Sequence, residues 1–261
     1  MGAVTKIAVH PLDREAICSV SHDGLAKLWD LRKNVQRSST EGSVNDTSIL
    51  TFNTKERNVD VRYSPKGNEF AVLTAQNNLF IFDDRKNSEP LAQKMLGTKR
   101  SPLYEIEYGK NGENMFMTRA DEIVVVELKT LTEIGSIPIT CDPSKTFCLK
   151  FDPLYRNLAV ASTDSIVSLI DTEYWSCKFG IAHLHDAIRS VAFSYDSRYI
   201  AHAAGKLKMI DIASVETGDQ ICQAACPEGV TSVDFAKHEH VLAITGMTSN
   251  YVWIHDLRQT L

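Results

Sequence analysis

Short runs of alternating apolar and polar residues recur along the chain. The same order of runs returns six times, at residues 4–32, 59–85, 103–129, 146–172, 188–214 and 230–258. Each copy opens with a run such as Ser190-Val191-Ala192-Phe193, which puts its apolar residues on one face of a strand. A turn follows, built from residues that reach positive φ or bond their own backbone cheaply, as in Pro65-Lys66-Gly67, Lys110-Asn111-Gly112 and Tyr195-Asp196-Ser197. A mostly apolar second strand comes next (Leu158-Ala159-Val160-Ala161), then a tight turn: Asp23-Gly24, Asn77-Asn78, Asp121-Glu122, Asp164-Ser165 or Ser249-Asn250. Asp-Gly is among the strongest short hairpin signals. A third strand then ends in a characteristic pair whose second member is an acid.

Those end pairs set the period. They are Trp29-Asp30, Phe82-Asp83, Val126-Glu127, Ile170-Asp171, Ile210-Asp211 and His255-Asp256, at spacings of 53, 44, 44, 40 and 45 residues. A period of about 40–45 residues with three strands and two turns predicts β-propeller blades, a period that a β-sandwich does not explain. Fourth strands are expected at Leu131–Ile137, Trp175–Ile181 and Asp219–Ala224. The expectation is an all-β propeller of six four-stranded blades in one domain over residues 1–261. The blades fall near 4–50, 51–95, 103–140, 146–182, 188–225 and 230–261. No window carries a capped, sustained helical periodicity. The wide first interval holds the Ser/Thr-rich stretch Gln36–Ser48, which reads as a solvated loop between blades. The chain enters on a first strand and stops after a third. Either six blades close with one of three strands, or these are six blades of a seven-bladed ring.

Composition narrows the function. The net charge is −5, from 28 Lys and Arg against 33 Asp and Glu, which speaks against nucleic acid as the main partner because phosphate neutralisation needs a basic excess. The clusters Lys99-Arg100 and Lys55/Arg57 read as solvated faces. At 261 residues a large core forms without disulfides or metal. Cys18, Cys141, Cys148, Cys177, Cys222 and Cys226 contain no C-x-x-C pair. They read as free thiols, and the C-x3-C of Cys222 and Cys226 falls short of a zinc site. The opening residues lack the apolar run of a signal peptide, and the longest candidate for a membrane span, Ile123–Val126, stops at Glu127. The sequon at Asn45 is then a chance match.

Ser21-His22-Asp23-Gly24 followed by Leu28-Trp29-Asp30 resembles the WD-repeat signature, and the other five copies are degenerate forms of it. More narrowly, residues 148–172, 188–219 and 49–83 are similar to the third-subunit family of THO complexes, notably Ile210-Asp211-Ile212-Ala213 with Val215-Glu216-Thr217-Gly218-Asp219. Members of that family carry a further N-terminal blade. The resemblance implies a non-catalytic, nuclear scaffold that binds other THO/TREX subunits and couples transcription and mRNA processing to mRNA export. RNA would be met only indirectly, with no membrane contact, cofactor or small-molecule substrate. A WD-repeat adaptor in another complex, such as a ubiquitin ligase or a chromatin reader, is the alternative.

No phosphate-binding glycine loop, dinucleotide fingerprint or nucleophile elbow is present. The candidate residues are therefore structural: His22, Asp23, Gly24, Trp29 and Asp30 in the first copy, with Asp83, Asp164, Asp171, Asp211 and Asp256 in the others. In WD blades the tight-turn Asp joins a hydrogen-bonded network that fixes the strands, a part that Asp23 and Trp29 are expected to play. Two pairs, His183/His185 and His238/His240, have the i, i+2 spacing that would pinch a metal on a strand. They read instead as a structural histidine and a solvent-exposed turn.

Overall fold

The computed structural model describes residues 2–33, 48–86, 89–97, 102–120, 122–139, 146–249 and 251–258. Residues 36–47 of the predicted loop, the Lys99-Arg100 cluster, Cys141, Asp121 and Asn250 lie outside them. The described residues form strands and turns and no helix.

Among the described residues, twenty-three strands form six antiparallel sheets in chain order. The first holds β1 (Val4–Val9), β2 (Ala16–Ser21), β3 (Leu25–Asp30) and β4 (Leu50–Asn53). The second holds β5 (Asn58–Tyr63), β6 (Glu69–Thr74), β7 (Asn78–Asp83) and β8 (Ala92–Met95). The third holds β9 (Leu103–Tyr108), β10 (Asn114–Arg119), β11 (Glu122–Glu127) and β12 (Thr132–Pro138). The fourth holds β13 (Thr146–Phe151), β14 (Asn157–Ser162), β15 (Val167–Asp171) and β16 (Ser176–Ile181). The fifth holds β17 (Ile188–Phe193), β18 (Tyr199–Ala204), β19 (Met209–Ser214) and β20 (Gln220–Ala225). The sixth has three strands among the described residues: β21 (Val230–Phe235), β22 (Val241–Gly246) and β23 (Val252–Asp256).

The predicted fourth strands sit within one residue of β12, β16 and β20. One boundary needs correction. Leu50–Asn53 pairs with β3, so it closes the first sheet although the period had placed residues from 51 onward in the second.

Two compact units emerge from the packing: residues 1–117 with 125–135, and residues 118–124 with 136–261. In the first unit, β5 packs against β1 and β9. Their core is aromatic: Phe52, Phe70 and Phe82 pack with ring centroids 5.0–5.4 Å apart, beside Cys18, Val20 and Val72. In the second unit, β17 packs against β13 and β21. Aliphatic clusters around Leu169, Ile188 and Val191 on one side of the fifth sheet, and around Ile212, Val233 and Leu242 on the other, hold it.

Two backbone devices repeat. The first strand of five sheets slips register near its start, between Val4/Lys6, Asn58/Asp60, Thr146/Cys148, Ile188/Ser190 and Val230/Ser232. Such a bulge sharpens the local twist. The tight turn after the second strand needs positive φ, supplied by Gly24 (85°), Asn77 (64°), Ala120 (47°) and Ser165 (70°). Asn takes that conformation cheaply. At Gly24 a Cβ would also sit 2.9 Å from the Glu56 carbonyl oxygen.

Candidate functional site

The first-copy signature splits in two. Asp23 is exposed and accepts from the Ser21 hydroxyl, the Gly2 amide (2.9 Å) and the Leu25 amide (3.1 Å). The Ser21 bond, then the Gly2 bond, hold its carboxyl down at about 2. Trp29 Nε1 donates instead to Ser19 Oγ (2.8 Å), so Asp23 and Trp29 close separate contacts, not one network. His22 is exposed, 3.5 Å from Arg57. Asp164 repeats the Asp23 turn, accepting from the Ser162 hydroxyl and the Ile166 amide (3.0 Å).

The acids ending the third strands share one job. Asp30, Asp83, Asp171 and Asp256 each accept the amide two residues on, at 2.8–3.0 Å, from Arg32, Arg85, Glu173 and Arg258. This tightens the exit turn. Arg32 and Arg258 add guanidinium contacts that keep Asp30 and Asp256 ionised, the latter down at about 2. Asp211 does not belong to this set. It lies in mid-strand opposite His202, and Ser214 holds the strand-end position, its hydroxyl accepting the Glu216 amide (3.2 Å). The Ile210-Asp211 pair had been matched three residues too early.

Polar clusters that the pattern did not announce occupy the first strands. Past the bulge, Lys6, Asp60 and Glu105 hold the same position in three successive sheets, and Arg62 and Glu107 lie two residues on. Arg62 is nearly buried and reaches Asp60 (3.2 Å), Glu105 (3.5 Å) and Glu107 (2.9 Å), while Lys6 pairs with Glu105. Burial alone would lower the Arg62 pKa, but Asp60, Glu107 and Glu105 together raise it. Asp60 Oδ2 also accepts the Ile106 amide of the next sheet (2.9 Å). In the second unit Ser190 Oγ accepts the Val233 amide (3.1 Å) in the equivalent way. The detectable signal was D-x-R in one copy against E-x-E at the same register in the next.

The histidine pairs come apart. His183 turns inward and His185 outward, because residues 182–187 connect two sheets and lie on no strand. His240 bonds Asp196 (3.2 Å) between Tyr195 and Tyr199. Cys222 and Cys226 are free thiols. Among the described residues one group of three metal-ligating side chains gathers within 4.8 Å: His183, His202 and Asp211. A cleft of about 710 Å³ opens beside the fourth and fifth sheets, with Arg156, Lys178, Arg198 and Glu216 on its walls.

Sheets of this construction define a β-propeller, and solved structures agree. The β-propeller domain of Cps50 (Swd1) from Myceliophteria thermophila superposes with a TM-score of 0.79 at 14% identity, over 96% of this chain and 82% of that one. The fold is that of a β-propeller. No protein-family model matches the chain. The chain is similar to THO complex subunit 3 of Arabidopsis thaliana, 28% identical over 249 residues, which is 95% of this chain and 73% of that protein. It is also similar to WD repeat-containing protein AAC3 of Dictyostelium discoideum, 27% identical over 201 residues, which is 75% of this chain but 38% of that protein. No helix among the described residues is long and apolar enough to cross a membrane.

Proposed function

We propose that this chain is a non-catalytic propeller scaffold, one domain over residues 1–261, that binds other THO/TREX subunits in the nucleus. In that role it couples transcription and mRNA processing to mRNA export. The observation that carries the reading is the similarity to THO complex subunit 3 across 95% of the chain. The charge supports it: the carboxylates on neighbouring first strands are paired with Arg62 and Lys6, and the chain as a whole, at a net charge of −5, has no basic excess for direct RNA binding. Partners would be held by a few anchors in grooves such as the Arg156–Arg198 cleft. The AAC3 similarity favours a second reading, a WD-repeat adaptor in another complex, such as a ubiquitin ligase or chromatin reader. Affinity purification of the tagged chain from nuclear extract, read by mass spectrometry, separates the two. THO subunits at near-stoichiometric levels support the scaffold; ligase or chromatin subunits in their place overturn it.

A further inference from the structure

The inward side of the fifth sheet carries a polar group that packing does not explain. His202, on β18, has no exposed surface, and neither ring nitrogen has a hydrogen-bond partner. Buried imidazoles ordinarily find partners, so an orphaned one asks for a missing group. Its Nε2 lies 3.5 Å from Asp211 Oδ2, and the same oxygen meets His183 Nδ1 at 2.7 Å. Asp211 is itself fully buried. Its second oxygen is held by the side-chain amides of Gln220 and, at 3.2 Å, Gln223.

We propose that His183 Nδ1, His202 Nε2 and Asp211 Oδ2 bind a borderline divalent metal ion, best matched by Zn²⁺. Two imidazoles and one carboxylate are a common donor set for such ions. Metal–ligand bonds of about 2.0–2.1 Å at tetrahedral angles place donors about 3.3 Å apart, close to the 3.5 Å separation of His202 from Asp211. The 2.7 Å contact must open slightly, and the His183 side chain, one quarter exposed, has room to move. A metal takes the Nδ1 lone pair of His183, so in the bound form any ring proton sits on Nε2, at the ring's other nitrogen. Gln220 and Gln223 orient the carboxylate from outside, as hydrogen-bonding partners of metal ligands do. A water completes the fourth position. This inference is independent of the partner reading above.

The full chain, stripped with a chelator, is titrated with Zn²⁺ by calorimetry and with Co²⁺ by visible absorption. One ion per chain and the intense visible bands of tetrahedral Co²⁺ are expected. His183→Ala removes a ligand from the rim and should weaken binding by more than about 100-fold, beyond the usual cost of losing an outer-shell partner, while Gln220→Leu costs about 10-fold. Far-UV circular dichroism confirms that each variant is folded, and Zn²⁺ should raise the unfolding midpoint of the native chain but not of His183→Ala. Absence of stoichiometric binding overturns the proposal. So does equal weakening by His183→Ala and by the exposed control His185→Ala.

Discussion

Arg62→Met tests whether the first strands are held by charge. The side chain keeps most of its volume and loses its guanidinium, which leaves Asp60, Glu105 and Glu107 facing one another without the cation that reached all three. At separations of 2.9–3.5 Å each attraction is worth roughly 5 kcal/mol gross at an effective dielectric of about 20. Most of that offsets the desolvation of the groups themselves, so the net loss on deleting one partner is about 3–5 kcal/mol. With an m-value of about 3 kcal/mol/M, the urea midpoint should fall by about 1–2 M at pH 7. Adding Asp60→Asn to the variant should recover part of the loss, since the two sites are directly coupled. Tryptophan fluorescence during urea unfolding reads both. A loss below about 1 kcal/mol at pH 7, or no recovery in the double variant, would refute the argument, because neither fits a buried ion cluster.

Three further outcomes are expected. Phe70→Ala empties the centre of the aromatic cluster and should cost about 3–5 kcal/mol by urea unfolding, against almost nothing for Tyr174→Ala, whose ring is exposed. Gly24→Ala forces a Cβ onto a backbone at φ 85° and against the Glu56 carbonyl, and should cost about 1–2 kcal/mol. Asp23 titrates below its unfolded value, so its contribution is complete above about pH 4 and is lost as the pH falls toward 2. Carbon-detected NMR should place its midpoint near 2, and Ser21→Ala should move it upward.

The repeat was legible because its cause is local. Alternation fixes which face of each strand is buried, and turn residues fix where strands stop, so the fourth strands at 132, 176 and 220 could be placed to within a residue. What escaped depended on register between segments far apart in sequence. Thr51–Asn53 fall beyond the predicted boundary because only the pairing of β4 with β3 shows that they close the first sheet. Asp211 was matched to strand ends because an apolar residue before an acid looks the same at either register. The pairing of Tyr199 with Ser214, where Ala16 meets Asp30 in the first sheet, reveals the slip. Counted from Ser214, the last two intervals become 43 and 42 residues, more even than the 40 and 45 counted from Asp211.

That correction changes what the fifth copy means. Were Asp211 a strand-end acid, it would accept the amide two residues on, as Asp83 does. Held three residues earlier, it sits beneath His202 and beside His183, where the first copy has Lys27 and Ser19 at the matching positions. A carboxylate on the buried face of a strand is costly unless paired, and nothing in the turn geometry requires one there, since Ser214 already closes the exit turn. The propeller fold therefore does not account for Asp211, whereas it does account for Asp30, Asp83, Asp171 and Asp256. Two buried groups at adjacent positions that the fold does not need, one of them an imidazole without a partner, mark the fifth sheet as the place where this scaffold departs from pure architecture.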